Sequence, residues 1–185
     1  MPGTLDEKKM IARLKKGDAQ AFEHLFDRYK NKIFSLLLTM DVGKEDAQDL
    51  TQETFIKVIQ HIDKHRIENS FSSWIYAIAV NSLKDFRRKR KEVFLEDYSL
   101  DLDVTSDALT EDIVIRNEEK RYLREMIQQI PPRYRIVLLL RFTNDLSYEE
   151  IARILNGSVN QISVDLYRAK KILKKLLSRT KEDLT

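Results

Sequence analysis

Four side chains, Asp46, Asp49, Gln52 and Glu53, fall at i, i+3, i+6 and i+7, a spacing that gathers them on one side of a helix. Such a face can dock a basic protein surface, hold a metal in the manner of carboxylate-rich helical bundles, or simply be solvated. The metal chemistry is disfavoured, because no Glu-x-x-His pair occurs and His24, His61 and His65 are scattered. A metal hydrolase built on Asp46, Asp49 and Glu53 would also lack a Gly-rich phosphate loop. The chain has no Cys, which removes thiolate nucleophiles, thiolate metal ligands and disulfides. Docking and solvation stay open on the residues alone.

A second group mixes aromatic and basic side chains around one helix: Trp74, Tyr76, Asn81, Lys84 and the run Arg87-Arg88-Lys89-Arg90-Lys91. Aromatic rings can stack on unpaired bases while Arg and Lys hold phosphates. The bland alternative is a core Trp74 and a solvated basic helix end.

The third group is Leu146 to Leu177, two helical patterns joined at Asn156-Gly157. Ile151, Ala152 and Leu155 form the apolar side of the first helix. Ile162, Leu166, Ala169, Leu173 and Leu176 or Leu177 form that of the second. Asn-Gly tolerates positive φ and suits a sharp turn. The opposite face of the second helix carries Asn160, Gln161, Ser163, Val164, Tyr167, Arg168 and Lys171. These short polar, aromatic and basic groups suit base edges and phosphates. The pattern is that of a helix-turn-helix, whose second helix enters a DNA major groove. An ordinary αα-hairpin with a basic face is the alternative.

The elements that must position these groups are all helical. Asp6 to Lys16 can form a short helix, and Asp18 is suited to cap the next. Phe22, Leu25, Phe26, Tyr29, Ile33, Leu36 and Leu37 then repeat at helical period. After a turn at Gly43, Glu45 to Ile62 predicts a helix with Ala47, Leu50, Thr51, Phe55, Val58 and Ile62 near one face. His61 to Asn69 is aperiodic and predicts a loop. Ser70 caps a helix from Phe71 to about Arg90. A pattern resuming near Ile113 stops at Pro131-Pro132, since both prolines lack an N–H and the second restricts the first. Arg133 to Phe142 is a further apolar helix, and Ser147 with Glu150 forms an S-x-x-E capping box for the next.

Only four Gly and three Pro occur in 185 residues, as expected of helices with short connections. The hydrophobic share of 42% is enough for real cores. No apolar run approaches the ~20 residues of a membrane span, and the N-terminus has no apolar signal core, so a cytoplasmic protein is expected. The net charge of +3 conceals a pattern: residues 1–91 carry +5, 92–112 carry −8 and 113–185 carry +6. The acidic strip from Glu92 to Asp112 has no sustained period and is expected to be a linker.

Four segments in order, AFEHLFDRY, DAQDLTQETFIKV, SFSSWIYAIAVNSLKDFRRKR and IPPRYRIVLLLRFTNDLSYEEIARIL, resemble regions two and four of the extracytoplasmic-function sigma factors of bacteria. The resemblance covers roughly Ala19 to Leu177 and implies an all-α protein of two small helical domains joined by a flexible acidic linker. It implies region two over 1–91, the linker over 92–112 and region four over 113–185.

The resemblance also implies roles. Asp49, Gln52 and Glu53, with Asp46 nearby, would dock a coiled coil on the largest subunits of RNA polymerase core, beta and beta-prime. The loop at His61–Ser70 would capture a base flipped from the downstream, −10, promoter element, which is costly by a few kcal/mol and needs a shaped pocket. Trp74, Asn81, Lys84, Arg87, Arg88 and Arg90 would serve strand capture and phosphate contact. The second helix of the C-terminal motif would read the upstream, −35, element. The acidic strip would mimic a nucleic-acid strand in the polymerase's basic RNA-exit path. An anti-sigma factor is an expected partner, and no cofactor or catalysis of its own is implied. Two departures from the family stand out. Ser163 and Asp165 occupy positions that are often basic, and Asp165 either accepts from a cytosine amino group or points away from DNA. The turn Asn156-Gly157 lacks the apolar residue that usually plugs it. A stand-alone helix-turn-helix regulator is the rival reading.

Overall fold

Asp18 shows how this chain starts a helix. Its carboxylate accepts from the N–H groups of Gln20 (3.0 Å) and Ala21 (3.2 Å), satisfying donors that the first turn leaves over. Arg13 donates to the other oxygen at 2.7 Å. That hydrogen bond, then the Ala21 N–H, holds the Asp18 carboxyl below the usual carboxylate range. Gly17, at φ +77°, makes the preceding turn, where a side chain would be strained.

The structure is a computed structural model that describes residues 5–66, 70–89 and 118–183. Its described elements are eight α-helices and one 3₁₀ turn. The first bundle holds α1 (Leu5–Lys15), α2 (Ala19–Thr39), α3 (Lys44–His61), the turn Ile62–Lys64 and α4 (Phe71–Lys89). The second holds α5 (Glu118–Gln128), α6 (Pro132–Phe142), α7 (Tyr148–Leu155) and α8 (Val159–Asp183). The fold is all-α, as expected, with boundaries displaced by a residue or two. Part of the expected His61–Asn69 loop is helical instead, because α3 runs through His61 into the 3₁₀ turn. The strip 92–112 and the start of the expected helix near Ile113 lie outside the described residues.

Both bundles bury the stripes that their sequences mark. Leu25, Tyr29, Ile33 and Leu37 of α2 meet Ala47, Leu50, Phe55 and Val58 of α3 and Ile75, Ala79 and Leu83 of α4. In the second bundle Ile136 and Leu140 of α6 and Ile151 and Leu155 of α7 close on Ile162, Leu166 and Ala169 of α8. The capping box forms: Ser147 N–H donates to Glu150 Oε2 (2.8 Å) and Glu150 N–H to Ser147 Oγ (3.2 Å). At the helix-turn-helix corner the left-handed residue is Asn156, at φ 56°, and not Gly157. Asn is among the side chains that tolerate this conformation best.

The bundles also pack on one another. Helix α4 lies against α7, α2 touches α5, and the buried side chains form one contiguous cluster. Arg135 of α6 is 3% exposed and donates to Thr39 O (2.8 Å) and to Asp41 Oδ2 (2.6 Å) at the end of α2. Tyr76 of α4 donates to Asn144 Oδ1.

Candidate nucleic-acid interface

Helix α8 exposes the face expected to read DNA because its opposite face is buried. Ile162, Asp165, Leu166 and Ala169 point inward at i, i+3, i+4 and i+7. Asn160, Ser163, Val164, Tyr167, Arg168 and Lys171 are left exposed, with Tyr167 at 68%. Gln161 is half-buried and closes a second capping box: its Oε1 accepts from Ser158 N–H (3.0 Å) and Ser158 Oγ (3.3 Å). With both lone pairs engaged, its amino group is what remains to be offered to a ligand. Arg168 donates to the Tyr134 hydroxyl at 3.0 Å and lies over that ring, which ties it to α6.

Asp165 resolves the alternative left open by the sequence. It is 0% exposed and accepts from Arg133 Nε at 3.1 Å, so it faces the bundle and not the reading surface. Substituting Asp165 with alanine is therefore expected to cost ~1–3 kcal/mol of stability, measured by urea unfolding, because Arg133 loses a desolvated partner. Base preferences in a selection from randomised upstream elements should not move. A changed preference would contradict the inward placement.

On α4 the expected group splits. Asn81 and Arg88 are exposed, and Arg88 also pairs with Asp85 at 2.9 Å. Lys84 is half-buried, and burial lowers its pKa. Arg87 corrects the sequence expectation: at 7% exposure it turns inward and donates to Met40 O, capping the end of α2. It lies i+4 from Leu83 and i+8 from Ala79, on the apolar stripe, so its spacing outweighs its charge. Tyr76 is also inside, and burial pushes its hydroxyl well above the ordinary tyrosine value. Arg90 lies outside the described residues. Trp74 is half-buried against His65 (4.9 Å between ring centroids) and Phe71 (5.6 Å). Lys15 pins His65 by donating to its carbonyl. Trp74, which keeps partial access to solvent, thus sits where the 62–66 segment meets the helix.

The face of α3 is coherent. Asp49, Gln52 and Glu53 are exposed, Asp46 is half-buried beside them, and Glu53 pairs with Lys57 at 2.6 Å. The same face continues into Ile56 and Ile59, 54% and 52% exposed, which the apolar-stripe reading passed over. Their signal was present, since both fall off the buried stripe formed by Ala47, Leu50, Thr51, Phe55 and Val58. Among the described residues no group of three or more His, Asp or Glu side chains is arranged to hold a metal ion. No described helix is long and apolar enough to cross a membrane.

Two family models fit the chain in order: Sigma-70 region 2 over residues 25–93, and Sigma-70 region 4 over 120–173. The ECF RNA polymerase sigma factor SigW of Bacillus subtilis is 35% identical over 183 residues, covering 92% of this chain and 96% of the relative. The chain belongs to the ECF sigma factors. The ECF RNA polymerase sigma-E factor of Haemophilus influenzae, 31% identical across 94% of this sigma factor and 96% of its own length, agrees. Two solved structures share the fold at lower identity. CnrH in complex with the cytosolic domain of CnrY has a TM-score of 0.67 and 20% identity, covering 93% of this chain and 97% of that one. The sigma factor RpoE of Bartonella quintana in complex with the anti-sigma factor NepR has 0.65 and 18%, covering 86% and 98%. This sigma factor accordingly directs promoter-specific transcription by RNA polymerase, and the stand-alone regulator reading is not favoured.

Proposed function

We propose that this sigma factor divides promoter engagement among three faces. The acidic and apolar face of α3, Asp46, Asp49, Gln52 and Glu53 extended by Ile56 and Ile59, docks polymerase core. Trp74, Asn81, Lys84 and Arg88, with Arg90 beyond the described residues, capture the opened strand of the −10 element. Asn160, Gln161, Ser163, Val164, Tyr167, Arg168 and Lys171 read the −35 element. Residues 1–91 and 113–185 are then the two functional domains, with 92–112 between them. The protein acts in the cytoplasm, performs no chemistry of its own, and supplies specificity to an enzyme that does. An anti-sigma factor as inhibitor is supported by RpoE of Bartonella quintana, which was solved in complex with the anti-sigma factor NepR.

The observation that carries this reading is the sorting of exposed chemistry. Exposed carboxylates and isoleucines lie on α3, while exposed amides, hydroxyls and cations lie on α8. A surface for a basic protein and a surface for nucleic acid are thereby held on separate helices.

Trp74 tests the strand-capture assignment. Base–aromatic stacking is worth ~1–3 kcal/mol per base. Trp74→Ala holoenzyme should therefore lose on the order of tenfold or more in permanganate reactivity at the downstream element, with an unchanged upstream footprint. Trp74→Phe, which keeps a ring against His65 and Phe71, should recover much of it. Equal reactivity of all three proteins would remove Trp74 from the strand-binding set.

A further inference from the structure

We infer that helix α1 is a positioning strut for strand capture, in which Lys15 fixes the 62–66 segment against Trp74. Helix α1 (Leu5–Lys15) ends ahead of residues 25–93, the stretch that fits Sigma-70 region 2, and it carries none of the side chains assigned to polymerase or DNA. Ile11 and Leu14 are buried, and the helix packs on α2 and on the 3₁₀ turn Ile62–Lys64. Lys15, the last residue of the helix, is half-buried. Its ammonium donates to Asp63 O at 3.3 Å and to His65 O, groups 48 and 50 positions downstream. Helix ends leave such carbonyls without helical donors, and a cation is the strongest donor a side chain can bring to them.

The same helix backs the other side of Trp74. Glu7 of α1 accepts from the Tyr29 hydroxyl of α2 at 3.4 Å, and that hydroxyl meets Ser72 Oγ at 2.9 Å in the first turn of α4. Trp74 follows Ser72 by two residues. Its ring lies against His65, which is 3% exposed, and against Phe71, which is fully buried. The His65 and Phe71 rings are 5.6 Å apart, and the Tyr29 ring lies 5.7 Å from Phe71. One wall behind Trp74 is thus held through Lys15, and the other through Tyr29 and Glu7.

Ring contacts alone would not set Trp74 this firmly. Aromatic pairs are stable over centroid separations of ~4.5–7 Å and several angles, so they leave a ring room to slide. Hydrogen bonds to the backbone of the 62–66 segment remove that freedom. A stacking platform ordered before the base arrives avoids the ordering cost at the moment of capture. Lys15 then acts through Trp74, given the strand-capture reading on which this inference rests. It does not act as a phosphate contact, because its ammonium is turned to protein carbonyls.

Trp74 is the sole tryptophan, so its fluorescence reports the ring directly in the full chain. Lys15→Met keeps the stem and removes the ammonium. It should raise acrylamide quenching of the free protein by about twofold, as the segment behind the ring loosens. In holoenzyme with core polymerase it should lower permanganate reactivity at the downstream element by about fivefold or more, with an unchanged upstream footprint. Lys15→Arg, which keeps a cationic donor, should return both readouts most of the way to the parent values. In a Trp74→Ala background, Lys15→Met should change reactivity by less than about twofold, since the group it positions is gone. Quenching and reactivity equal to the parent in Lys15→Met overturn the strut. So does an undiminished Lys15→Met effect in the Trp74→Ala background, which would mark a general loss of charge or fold. Parent-level reactivity of Trp74→Ala sinks the strand-capture reading beneath, whereas a lowered Trp74→Ala beside a parent-level Lys15→Met sinks the strut alone.

Discussion

Arg135→Ala should lower the unfolding free energy by ~3–5 kcal/mol, the range for removing one member of a buried ion pair. Arg135 serves four acceptors from one guanidinium. Nε donates to Ile130 O at 2.9 Å, and the terminal nitrogens donate to Gln128 O, Thr39 O and Asp41 Oδ2. Gln128 O and Ile130 O lie at the end of α5, where the helix has run out of its own donors at Pro131-Pro132. Thr39 O is the equivalent group at the end of α2. Alanine leaves all of these carbonyls and the Asp41 carboxylate without that donor. Arg135→Lys should recover less than half of the loss, because an ammonium cannot cover the span of a planar fork. The comparison is urea midpoint and slope for the three proteins. A loss below ~1 kcal/mol for the alanine variant would contradict the buried, four-way role.

The second large effect concerns binding and spares the fold. Reversing charge with Asp49→Arg and Glu53→Arg together should weaken core-polymerase affinity by on the order of 100-fold or more, since like-charge juxtaposition at an interface costs several kcal/mol. Both side chains are exposed, so the unfolding midpoint should hardly move. Ile56→Ala with Ile59→Ala should cost about 10-fold or more through lost apolar contact, with little salt dependence, whereas the charge effect should shrink as salt rises. Competition against a labelled reference sigma factor for limiting core measures both. Undiminished affinity in the charge-reversed protein would move the docking surface off α3.

How far the sequence reached is visible in particular residues. The caps at Asp18 and at Ser147 with Glu150 were legible because both partners of each bond lie within three residues. The apolar stripes of α2, α3 and α8 were legible from period alone. Arg87 was misread as a surface-facing candidate because charge was weighed above register, and the direction of Asp165 stayed open for the same reason. Both sit on apolar stripes, and each meets a partner that no local pattern announces, Met40 O for Arg87 and Arg133, 32 positions away, for Asp165 Oδ2. Arg135 lies in an apolar helix between Tyr134 and Ile136, and its acceptors on α2 are more than 90 positions upstream. The seam between the bundles was illegible for the same reason. Its only local trace was Tyr76, a phenol on a stripe of Ile75 and Ala79 that had to find an acceptor when buried.

Run-off transcription with purified core polymerase, on templates carrying separately altered upstream and downstream elements, tests the central claim most directly. The account predicts transcripts from discrete start sites only when core and this chain are both present, with output falling when either element is altered. No promoter-specific transcript with core, or tight and selective duplex binding by the chain that core leaves unchanged, would contradict it.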